Sequence, residues 1–407
     1  MISNIVLKQS NLTIKFMKHL KRATLCARDP FNLLRRLSHE ESMVHDMVKA
    51  YADQELRPRI NRDFNNGYFN RQIIKDMGET LGILGMTTMK DPVSYKAYGV
   101  ACNVLEGVDS SYRSMLSVQS SLVIYPIVKY ANESVKARYI DGLRSGEFLG
   151  SFCLTEPDAG SDPSSMRTAA RKDGNDYIIS GIKTWITHAP HAEVFVVWCK
   201  LGPDEIGGFV LDRSMDGIVA SHIEDKQSMR ASSTGTVMFN DVKVDKAHLL
   251  SVRGLKGPLS CLNQARFGIS WGVLGAAADC IQQTLEYADQ RIVFERALSS
   301  FQIPQLKLAD CVSNIGTGLA AAHALSEDKE DGSDKHYMTS ILKRRNCQTA
   351  MDSSLVCRDI LGANGITTDY SPMRHLLNLQ SVSTYEGTSD IHGLIIGKEL
   401  TGIGAFV

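Results

Sequence analysis

Apolar residues recur at helical spacing over the first part of the chain. Ser38 followed by Glu41 is a capping-box pattern, which satisfies free N–H groups at a helix start. The apolar positions that follow repeat every three or four residues: Met43, Val44, Met47, Val48 and Tyr51. This helix is expected to end before Pro58, because proline does not fit a helix interior. The same spacing predicts helices over 73–81, 95–106, 114–130 and 135–143, so residues 29–147 are predicted to form a helical domain.

The pattern changes between residues 148 and 250. Short runs rich in Val, Ile, Phe and Thr are separated by turn residues, as in Asp173-Gly174-Asn175. This segment is predicted to be a domain of antiparallel strands, in a compact barrel or sandwich. Helical spacing returns from about residue 258, over 258–290, 303–327, 336–362 and 387–400. Four long helices with short connections predict a four-helix bundle over 251–407.

The composition excludes several classes of protein. With 407 residues, of which 43% are hydrophobic, the chain is long enough for more than one domain. Basic and acidic residues both number 45, and this balance argues against a nucleic-acid-binding surface. Because no run of about 18 apolar residues occurs, no membrane span is predicted. The nine cysteines include no Cys-x-x-Cys pair, and the histidines lack metal-ligand spacing, so we expect reduced thiols and no metal site.

The first 28 residues are basic and contain no acidic residue. Their cationic side chains, interleaved with Leu, Ile and Phe, are Lys8, Lys15, Lys18, Lys21, Arg22 and Arg28. This composition is typical of a mitochondrial transit peptide, so residues 1–28 are predicted to direct the protein to the mitochondrial matrix. The alternative is an ordinary basic tail.

Three short stretches contain the residue types of a ligand site. Phe152–Asp162 leaves a predicted strand into a loop whose N–H groups and hydroxyls suit a flat polar ligand or a phosphate. Lys183–Thr187 places Trp185 between hydroxyls, where it could stack on a ring system. Thr384–Thr388 sets Glu386 beside a glycine, as for a mobile general base. The plainer interpretations are a capped turn, a core tryptophan and an acid favoured by the dipole of a helix start.

In their order and spacing, these stretches together resemble the acyl-CoA dehydrogenase family. The resemblance covers nearly the whole chain after the N-terminal segment. It implies a multidomain α and β fold with an N-terminal helical domain, a middle β-barrel domain and a C-terminal four-helix bundle. It also implies an FAD cofactor, an acyl-CoA substrate, a homotetramer, and electron-transfer flavoprotein as the partner that receives the electrons.

The resemblance implies a role for each matching residue, and Glu386 matches the family's catalytic base. The residues expected to contact FAD are Phe152, Leu154, Thr155, Gly160, Ser161, Trp185, Ile186, Thr187, Arg291, Gln302, Asp359, Ile360, Leu361, Gly362, Ala363, Thr388 and Phe406. Of these, Arg291 and Gln302 are expected to reach FAD in the neighbouring subunit. The residues expected to bind the acyl-CoA are Arg113, Ser114, Ser161, Cys261, Leu262, Asn263, Gln264, Ala265, Arg266, Phe267, Gly268 and Gly387.

Within the family, the segment around Arg113 resembles the members that act on glutaryl-CoA. Glu106 is followed by VDSSYRS over 108–114 and by VQSS over 118–121. In those members the matching arginine holds the distal carboxylate of the substrate, which suits an apolar pocket that must bury a charge. The expected reaction is the oxidative decarboxylation of glutaryl-CoA to crotonyl-CoA, a step of lysine and tryptophan degradation. From the residues alone, Arg113 could instead pair with Asp109 at a helix end.

Other functions remain open at this point. The chain could be a short-chain acyl-CoA dehydrogenase or a glutaryl-CoA dehydrogenase that does not decarboxylate. It could also be a non-catalytic flavoprotein scaffold, although a scaffold would not need Glu386. Three segments depart from the family pattern: the loop over 86–92 is shorter, Gly107 replaces a basic residue, and 293–297 lacks the family's Gly and Pro.

Overall fold

The structure, a computed structural model, describes residues 25–203 and 205–405. Its elements run in the order helices, strands, helices, as the sequence predicts. The helices of the first domain are α1 (His39–Tyr51), α2 (Ile60–Asn66), α3 (Gln72–Lys75), α4 (Tyr95–Glu106), α5 (Ser110–Ser117), α6 (Tyr125–Tyr130) and α7 (Glu133–Ser145). Wider π-helical turns extend α1, α3 and α5 over Ala52–Leu56, Asp76–Thr80 and Val118–Ile124.

Several helices of this domain begin with side-chain caps, as α1 and α4 illustrate. At the start of α1, Ser38 Oγ accepts a 3.2 Å hydrogen bond from Glu41 N, and Glu41 Oε2 accepts a 2.8 Å bond from Ser38 N. At the start of α4, Ser94 Oγ accepts a 3.0 Å bond from Ala97 N. Helix α4 spans the predicted residues and ends at Glu106, whose side chain is fully buried.

The middle of the chain forms one eight-stranded sheet. Its strands are β1 (Gly150–Cys153), β2 (Ala169–Asp173), β3 (Asp176–Thr187), β4 (Val194–Lys200), β5 (Ile206–Asp212), β6 (Ile218–His222), β7 (Thr234–Val244) and β8 (Leu249–Arg253). They are ordered β6-β7-β3-β2-β4-β5-β8, with β1 paired in parallel to β4. A single parallel pair, Ala169 with Lys200, joins β2 to β4. The predicted β domain is therefore present, and its sheet remains open between β6 and β8.

The C-terminal domain is helical, as predicted. Its helices are α8 (Lys256–Gln290), α9 (Gln302–Asp331), α10 (His336–Ile360), α11 (Pro372–Thr384) and α12 (Ser389–Thr401), and a hairpin of β9 (Ile292–Val293) and β10 (Arg296–Ala297) joins α8 to α9. Four of these correspond to the predicted helices, whereas α11 was not predicted. Its buried face mixes polar with apolar residues, which weakens the hydrophobic period: His375, Asn378, Leu379 and Val382.

The two helical domains share one apolar core, and the sheet encloses a second. Leu105 of α4 and Met115 of α5 belong to the same buried cluster as Ile269 and Val273 of α8. Helix α8 therefore lies directly against α4 and α5, so residues from both domains can meet at one site.

Within the described part of the chain, helices of the length and apolarity needed for a membrane span are absent. Among the same residues, there is also no cluster of three or more His, Cys, Asp or Glu side chains that could hold a metal ion.

Candidate active site

Glu386 lies on the short turn that connects α11 to α12. Its backbone has a φ of 56°, in the left-handed region, and Gly387 follows with a φ of 99°. A left-handed glutamate is uncommon and costs free energy, so the surrounding structure must hold it in place. Its Oε2 atom is enclosed and has no hydrogen-bond partner among the described residues. Burial raises the pKa of Glu386 above its ordinary value.

Glycine is required at residue 387 for two reasons. The first is its positive φ, and the second is the close approach of His392 from α12. A Cβ atom at residue 387 would lie 3.0 Å from His392 Nε2. Burial lowers the pKa of His392 to about 3, so this imidazole is neutral at ordinary pH.

Arg113 on α5 is the most deeply buried cation near Glu386. Its side chain is 0% exposed and Nε donates a 2.7 Å hydrogen bond to Glu106 Oε2. Its Nη2 donates to the Tyr385 hydroxyl. The remaining nitrogen, Nη1, is enclosed and has no partner within the described chain, and the same holds for Oε1 of Glu106. A buried polar atom without a partner is costly, so these atoms mark a place where a polar ligand or water can bind.

Asp109, the alternative partner that the sequence left open for Arg113, is engaged elsewhere. Asp109 Oδ1 caps α5 by accepting a 2.9 Å hydrogen bond from Ser111 N. Its Oδ2 accepts bonds of 2.9 Å from Arg374 and 2.8 Å from Asn378, both on α11. Asp109 therefore connects α5 to α11, and the carboxylate that pairs with Arg113 is that of Glu106.

The segment Cys261–Gly268 lies near the start of α8, where we expected the acyl-CoA channel. The Phe267 ring centroid lies 5.7 Å from that of Tyr95 and 6.4 Å from that of Tyr98. The segment's buried members are Cys261, Ala265, Arg266, Phe267 and Gly268, whereas Leu262, Asn263 and Gln264 are half-buried. The segment thus presents both a buried aromatic wall and partly accessible polar side chains.

Arg266, one of the residues expected to bind the acyl-CoA, contacts the backbone of Glu386. Its Nε donates a 2.6 Å hydrogen bond to the carbonyl oxygen of Glu386, 120 residues further along the chain. The side chain of Arg266 therefore supports the backbone of Glu386 from α8. Ser114, by contrast, is buried next to Arg113 on α5, and Ser161 is exposed in the loop after β1.

Trp185 occupies an irregular point of β3. Its φ is 60°, and the pairing of β3 with β7 shifts register between Lys183 and Ile186. As a result the Trp185 side chain turns outward and is 62% exposed, while Ile186 is buried. A tryptophan in the core would be buried, so this exposure favours the interpretation of Trp185 as a stacking surface over that of a core tryptophan.

The loop after β1 is held beside Trp185 by a buried ion pair. Lys183 Nζ donates 2.8 Å to Glu156 Oε1 and 2.9 Å to the Leu154 carbonyl. The N–H of Thr184 donates 2.9 Å to the carbonyl of Thr155. The loop residues Gly160 and Ser161 remain exposed, and no atom lies within 4 Å of a Cβ built on Gly160. This loop and Trp185 thus form an open ledge on the β domain.

The other residues expected to contact FAD belong to the C-terminal domain. Thr388 Oγ1 caps α12 by accepting a 3.3 Å hydrogen bond from Ile391 N. Leu361 is buried and Ile360 half-buried, whereas the exposed members are Arg291, Gln302, Asp359, Gly362 and Ala363. Phe406 lies outside the described residues. The exposure of Arg291 and Gln302 is what a contact to a neighbouring subunit would require.

Three family models together match most of the chain. The N-terminal, middle and C-terminal domain models of acyl-CoA dehydrogenase match residues 38–147, 151–242 and 252–401. The chain belongs to the acyl-CoA dehydrogenase family. Its three-domain fold is therefore that of an acyl-CoA dehydrogenase.

Relatives of this acyl-CoA dehydrogenase include two solved structures of glutaryl-CoA dehydrogenase from Mycobacterium smegmatis. One is 41% identical, covers 94% of this chain and 100% of its own, and superposes with a TM-score of 0.91. The other, in complex with FADH2, is 39% identical with the same coverage and a TM-score of 0.92. The mitochondrial short/branched chain specific acyl-CoA dehydrogenase of Rattus norvegicus is 30% identical over 384 residues, which is 91% of this chain and 88% of the relative.

Sequence reasoning missed several members of the site in this acyl-CoA dehydrogenase. Tyr385 directly precedes the predicted base, but its hydroxyl contact to Arg113 spans 272 residues and has no local signal. Lys343 on α10 donates hydrogen bonds to the turn that carries Glu386. A signal for Lys343 was available, because it stands one helical turn before the buried Cys347 and thus on a core-facing position.

Proposed function

We propose that this acyl-CoA dehydrogenase oxidises glutaryl-CoA and removes its distal carboxylate as carbon dioxide, giving crotonyl-CoA. The observation that carries the proposal is Nη1 of Arg113, which has no partner among the described residues and belongs to a fully buried guanidinium whose charge acts on Glu386. A fatty acyl chain would gain nothing from a buried cation. A dicarboxylic acyl chain has a carboxylate to bury, and a guanidinium binds a carboxylate with two parallel hydrogen bonds.

The pair of Arg113 with Glu106 keeps this cation in place before the substrate arrives. Isolated burial of a guanidinium would be strongly unfavourable, and the Glu106 carboxylate compensates its charge. Within the described residues Nε and Nη2 donate to Glu106 and Tyr385, so Nη1 remains for the distal carboxylate of the substrate. The cost of burying that carboxylate is thereby reduced, because its partner is already positioned and desolvated.

The ledge beside Trp185 fits the isoalloxazine ring of FAD. An exposed indole supplies a stacking surface, and the open loop at Gly160 and Ser161 supplies N–H and hydroxyl donors to a polar ring edge. The residues that would hold FAD are those of the ledge together with Thr388 and the exposed positions of the C-terminal domain. When bound, FAD accepts the hydride from the β-carbon of the substrate.

Glu386 is proposed to remove the α-proton of the thioester. Burial raises its pKa, which makes the carboxylate a stronger base in the closed site. Among the described residues, its backbone N–H finds no hydrogen-bond acceptor, so this donor is free for the thioester oxygen. A donor aimed at the oxygen that gains negative charge stabilises the enolate-like transition state.

Decarboxylation follows from the chemistry of the oxidised acyl chain. After oxidation the γ-carbon that carries the distal carboxylate lies next to a double bond conjugated with the thioester. Loss of the carboxylate as carbon dioxide therefore leaves its electron pair delocalised into the thioester as a dienolate. Glu386, protonated in the first step, can return the proton to the γ-carbon. The product is crotonyl-CoA.

The test is to incubate the purified, FAD-loaded protein anaerobically with glutaryl-CoA or butyryl-CoA and to identify the products. We expect loss of the oxidised-flavin absorbance, crotonyl-CoA and one carbon dioxide per glutaryl-CoA. Glutaconyl-CoA without carbon dioxide would assign the protein to the non-decarboxylating class. A preference for butyryl-CoA would assign it to the short-chain class, and no bleaching with either substrate would favour a scaffold.

We further propose electron-transfer flavoprotein as the electron acceptor, a homotetramer as the assembly and the mitochondrial matrix as the location. The basic composition of residues 1–28 supports a transit peptide. Ala27 is buried and Arg28 Nη2 lies 3.5 Å from Asp279 Oδ1, so residues 27 and 28 pack against the folded chain. We therefore propose a cleavage before residue 27, two residues earlier than the boundary expected from the sequence. Import of a fluorescent protein fused to residues 1–28 tests the location, and reduction of added electron-transfer flavoprotein tests the partner.

A further inference from the structure

Lys343 is a buried lysine whose three N–H donors all point at one turn. It lies on α10 and its side chain is 1% exposed. Its Nζ donates 2.8 Å to the carbonyl oxygen of Tyr385, 2.5 Å to that of Gly387 and 3.3 Å to that of Ser383. An ammonium has three donors, so Lys343 is fully satisfied by main-chain oxygens.

The first two of these carbonyls belong to the residues on either side of Glu386. Arg266 completes the arrangement from α8, since its Nε donates 2.6 Å to the carbonyl of Glu386 itself. Three consecutive carbonyl oxygens, of residues 385, 386 and 387, thus accept hydrogen bonds from two buried cations on two helices. A turn that contains a left-handed glutamate persists only when its surroundings fix it strongly, and these hydrogen bonds supply that restraint.

We propose that Lys343 is a positioning residue for the catalytic base: it fixes the turn of Glu386 by main-chain hydrogen bonds, and its positive charge favours the ionised carboxylate. The proposal rests on the proposed function, in which Glu386 removes the α-proton. A positively charged group close to a carboxylate stabilises the charged form, whereas burial alone opposes it. Lys343 therefore counteracts part of the cost of burying Glu386 without contacting the substrate.

The charged groups that face Glu386 come from four helices. Arg113 on α5, Lys343 on α10 and Arg266 on α8 lower its pKa, and Glu106 on α4 raises it. Arg113 has the largest effect of the three cations, but it is also paired with Glu106 by a 2.7 Å hydrogen bond, whereas Lys343 and Arg266 bind the backbone of the turn itself. Burial lowers the pKa of Lys343 to about 8, so the ammonium is charged at neutral pH.

The experiment compares Lys343→Gln, which keeps donors but removes the charge, with Lys343→Arg, which keeps the charge. Arg344→Gln is the matched control, because Arg344 is the next residue of α10 and also donates to a main-chain carbonyl, that of Ser389, at 3.2 Å. FAD content, KM and the pH dependence of flavin reduction by glutaryl-CoA are measured for each variant by rapid mixing.

We expect Lys343→Gln to retain FAD and to reduce kcat by about 100-fold, since a displacement of the order of 1 Å costs this much. Its KM should change by less than about threefold, because Lys343 has no substrate contact in the proposal. The rising limb of its pH profile should move up by about one pH unit, because a cation near the base is lost.

Lys343→Arg should have the rising limb of its pH profile at the same pH as the wild type, and its kcat should lie within about tenfold of the wild-type value. Arg344→Gln should match the wild type in all respects.

Two results would overturn the proposal. One is a Lys343→Gln variant whose kcat falls while its pH limb stays in place, since a purely structural role gives that pattern. The other is a Lys343→Arg variant as slow as Lys343→Gln. If the Gln variant loses FAD, the Arg variant is compared with the wild type instead, and a kcat more than about tenfold lower counts against the proposal. The proposed function fails separately if Glu386→Gln still reduces the flavin at the wild-type rate.

Discussion

Gly272 on α8 faces Glu106 on α4, and a Cβ atom at residue 272 would overlap the Oε2 atom of Glu106. The same hypothetical atom would lie 3.2 Å from Cγ of Arg113. The absence of a side chain at residue 272 is therefore what allows the buried ion pair to rest against the backbone of α8.

Gly272→Ala should displace the Glu106 carboxylate and destabilise the protein. Inserting a methyl group into a filled interior costs about 1–3 kcal/mol. Urea unfolding of the purified protein measures the change. Gly397→Ala on α12 is the control, because a Cβ atom at residue 397 would have no neighbouring atom within 4 Å. It should therefore be stabilising by about 0.5–1 kcal/mol, as alanine is favoured over glycine in helices. An unchanged free energy of unfolding in Gly272→Ala would show that α4 and α8 can separate at little cost.

Arg113→Met should affect glutaryl-CoA far more than butyryl-CoA. Removing one partner of a buried, hydrogen-bonded charge pair costs on the order of 2–5 kcal/mol, because the other charge is left unpaired. That corresponds to a fall in kcat/KM for glutaryl-CoA of roughly thirty- to several-thousand-fold. Butyryl-CoA has no distal charge, so it serves as the internal control and its kcat/KM should change little. Equal losses with both substrates would mean that Arg113 supports the fold or the flavin site instead.

Glu386→Gln should abolish reduction of the flavin while FAD remains bound. The amide has nearly the same shape as the carboxylate but lacks the basic lone pair that takes the α-proton. Anaerobic addition of glutaryl-CoA, followed by the flavin absorbance, measures the effect. Flavin content after gel filtration is the control, and a variant that bleaches at the wild-type rate contradicts the assignment of the base.

The same substitution has a pH-dependent effect on stability. The unfolded chain releases the Glu386 proton near the ordinary pKa of 4.5, whereas the folded chain retains it to a higher pH because its pKa is raised. The folded state therefore binds more protons between these two values, and the wild type loses stability as pH rises through this window. The free energy of unfolding of Glu386→Gln minus that of the wild type should grow from about pH 4.5 upward and then level off. A difference that is constant with pH would show that Glu386 keeps an ordinary pKa in the folded protein.

Trp185→Gly should affect FAD binding and intrinsic stability in opposite directions. Glycine adopts a positive φ freely, so the FAD-free protein should gain about 1 kcal/mol, since a left-handed residue with a side chain costs this much. FAD affinity should fall because the stacking surface is lost. Unfolding of the FAD-free protein and titration with FAD measure the two effects. The control is Ile182→Ala, at another exposed position of β3, which should leave FAD affinity unchanged. A Trp185→Gly variant with normal FAD affinity would show that Trp185 is not part of the cofactor site.

Local patterns predicted the elements whose signals are local. The capping box at Ser38 and Glu41 and the period of α4 depend on residues within a few positions of each other, and both are present in the structure. Helix α11 escaped prediction because Asn378 and His375 are buried there for their hydrogen bonds to Asp109 and Asp279, which lie far away in sequence. In the sequence alone, a buried polar residue cannot be told from a solvent-exposed one, because its hydrogen-bond partner is not known.

The sequence supplied candidate residues for the site but not their arrangement. The resemblance to the family singled out Arg113, Trp185 and Glu386, and the structure gives each an unusual setting. The sequence did not predict which partners these residues have. The backbone of Trp185 and Glu386 is left-handed, and neither residue type indicates a positive φ as glycine does. The interaction of Arg266 with the Glu386 backbone likewise depends on how α8 packs against the turn.

The hydrogen bonds of Lys343 and Arg266 to the turn of Glu386 end on main-chain oxygens, which every amino acid supplies. The side chains at residues 383 and 385 can therefore be exchanged without releasing the base from its position. A descendant of this chain could replace Tyr385 and so alter the surroundings of Arg113, while the proton-abstracting group stays where it is. Such a separation between the part that sets specificity and the part that performs the chemistry is a route by which one scaffold can acquire new acyl substrates.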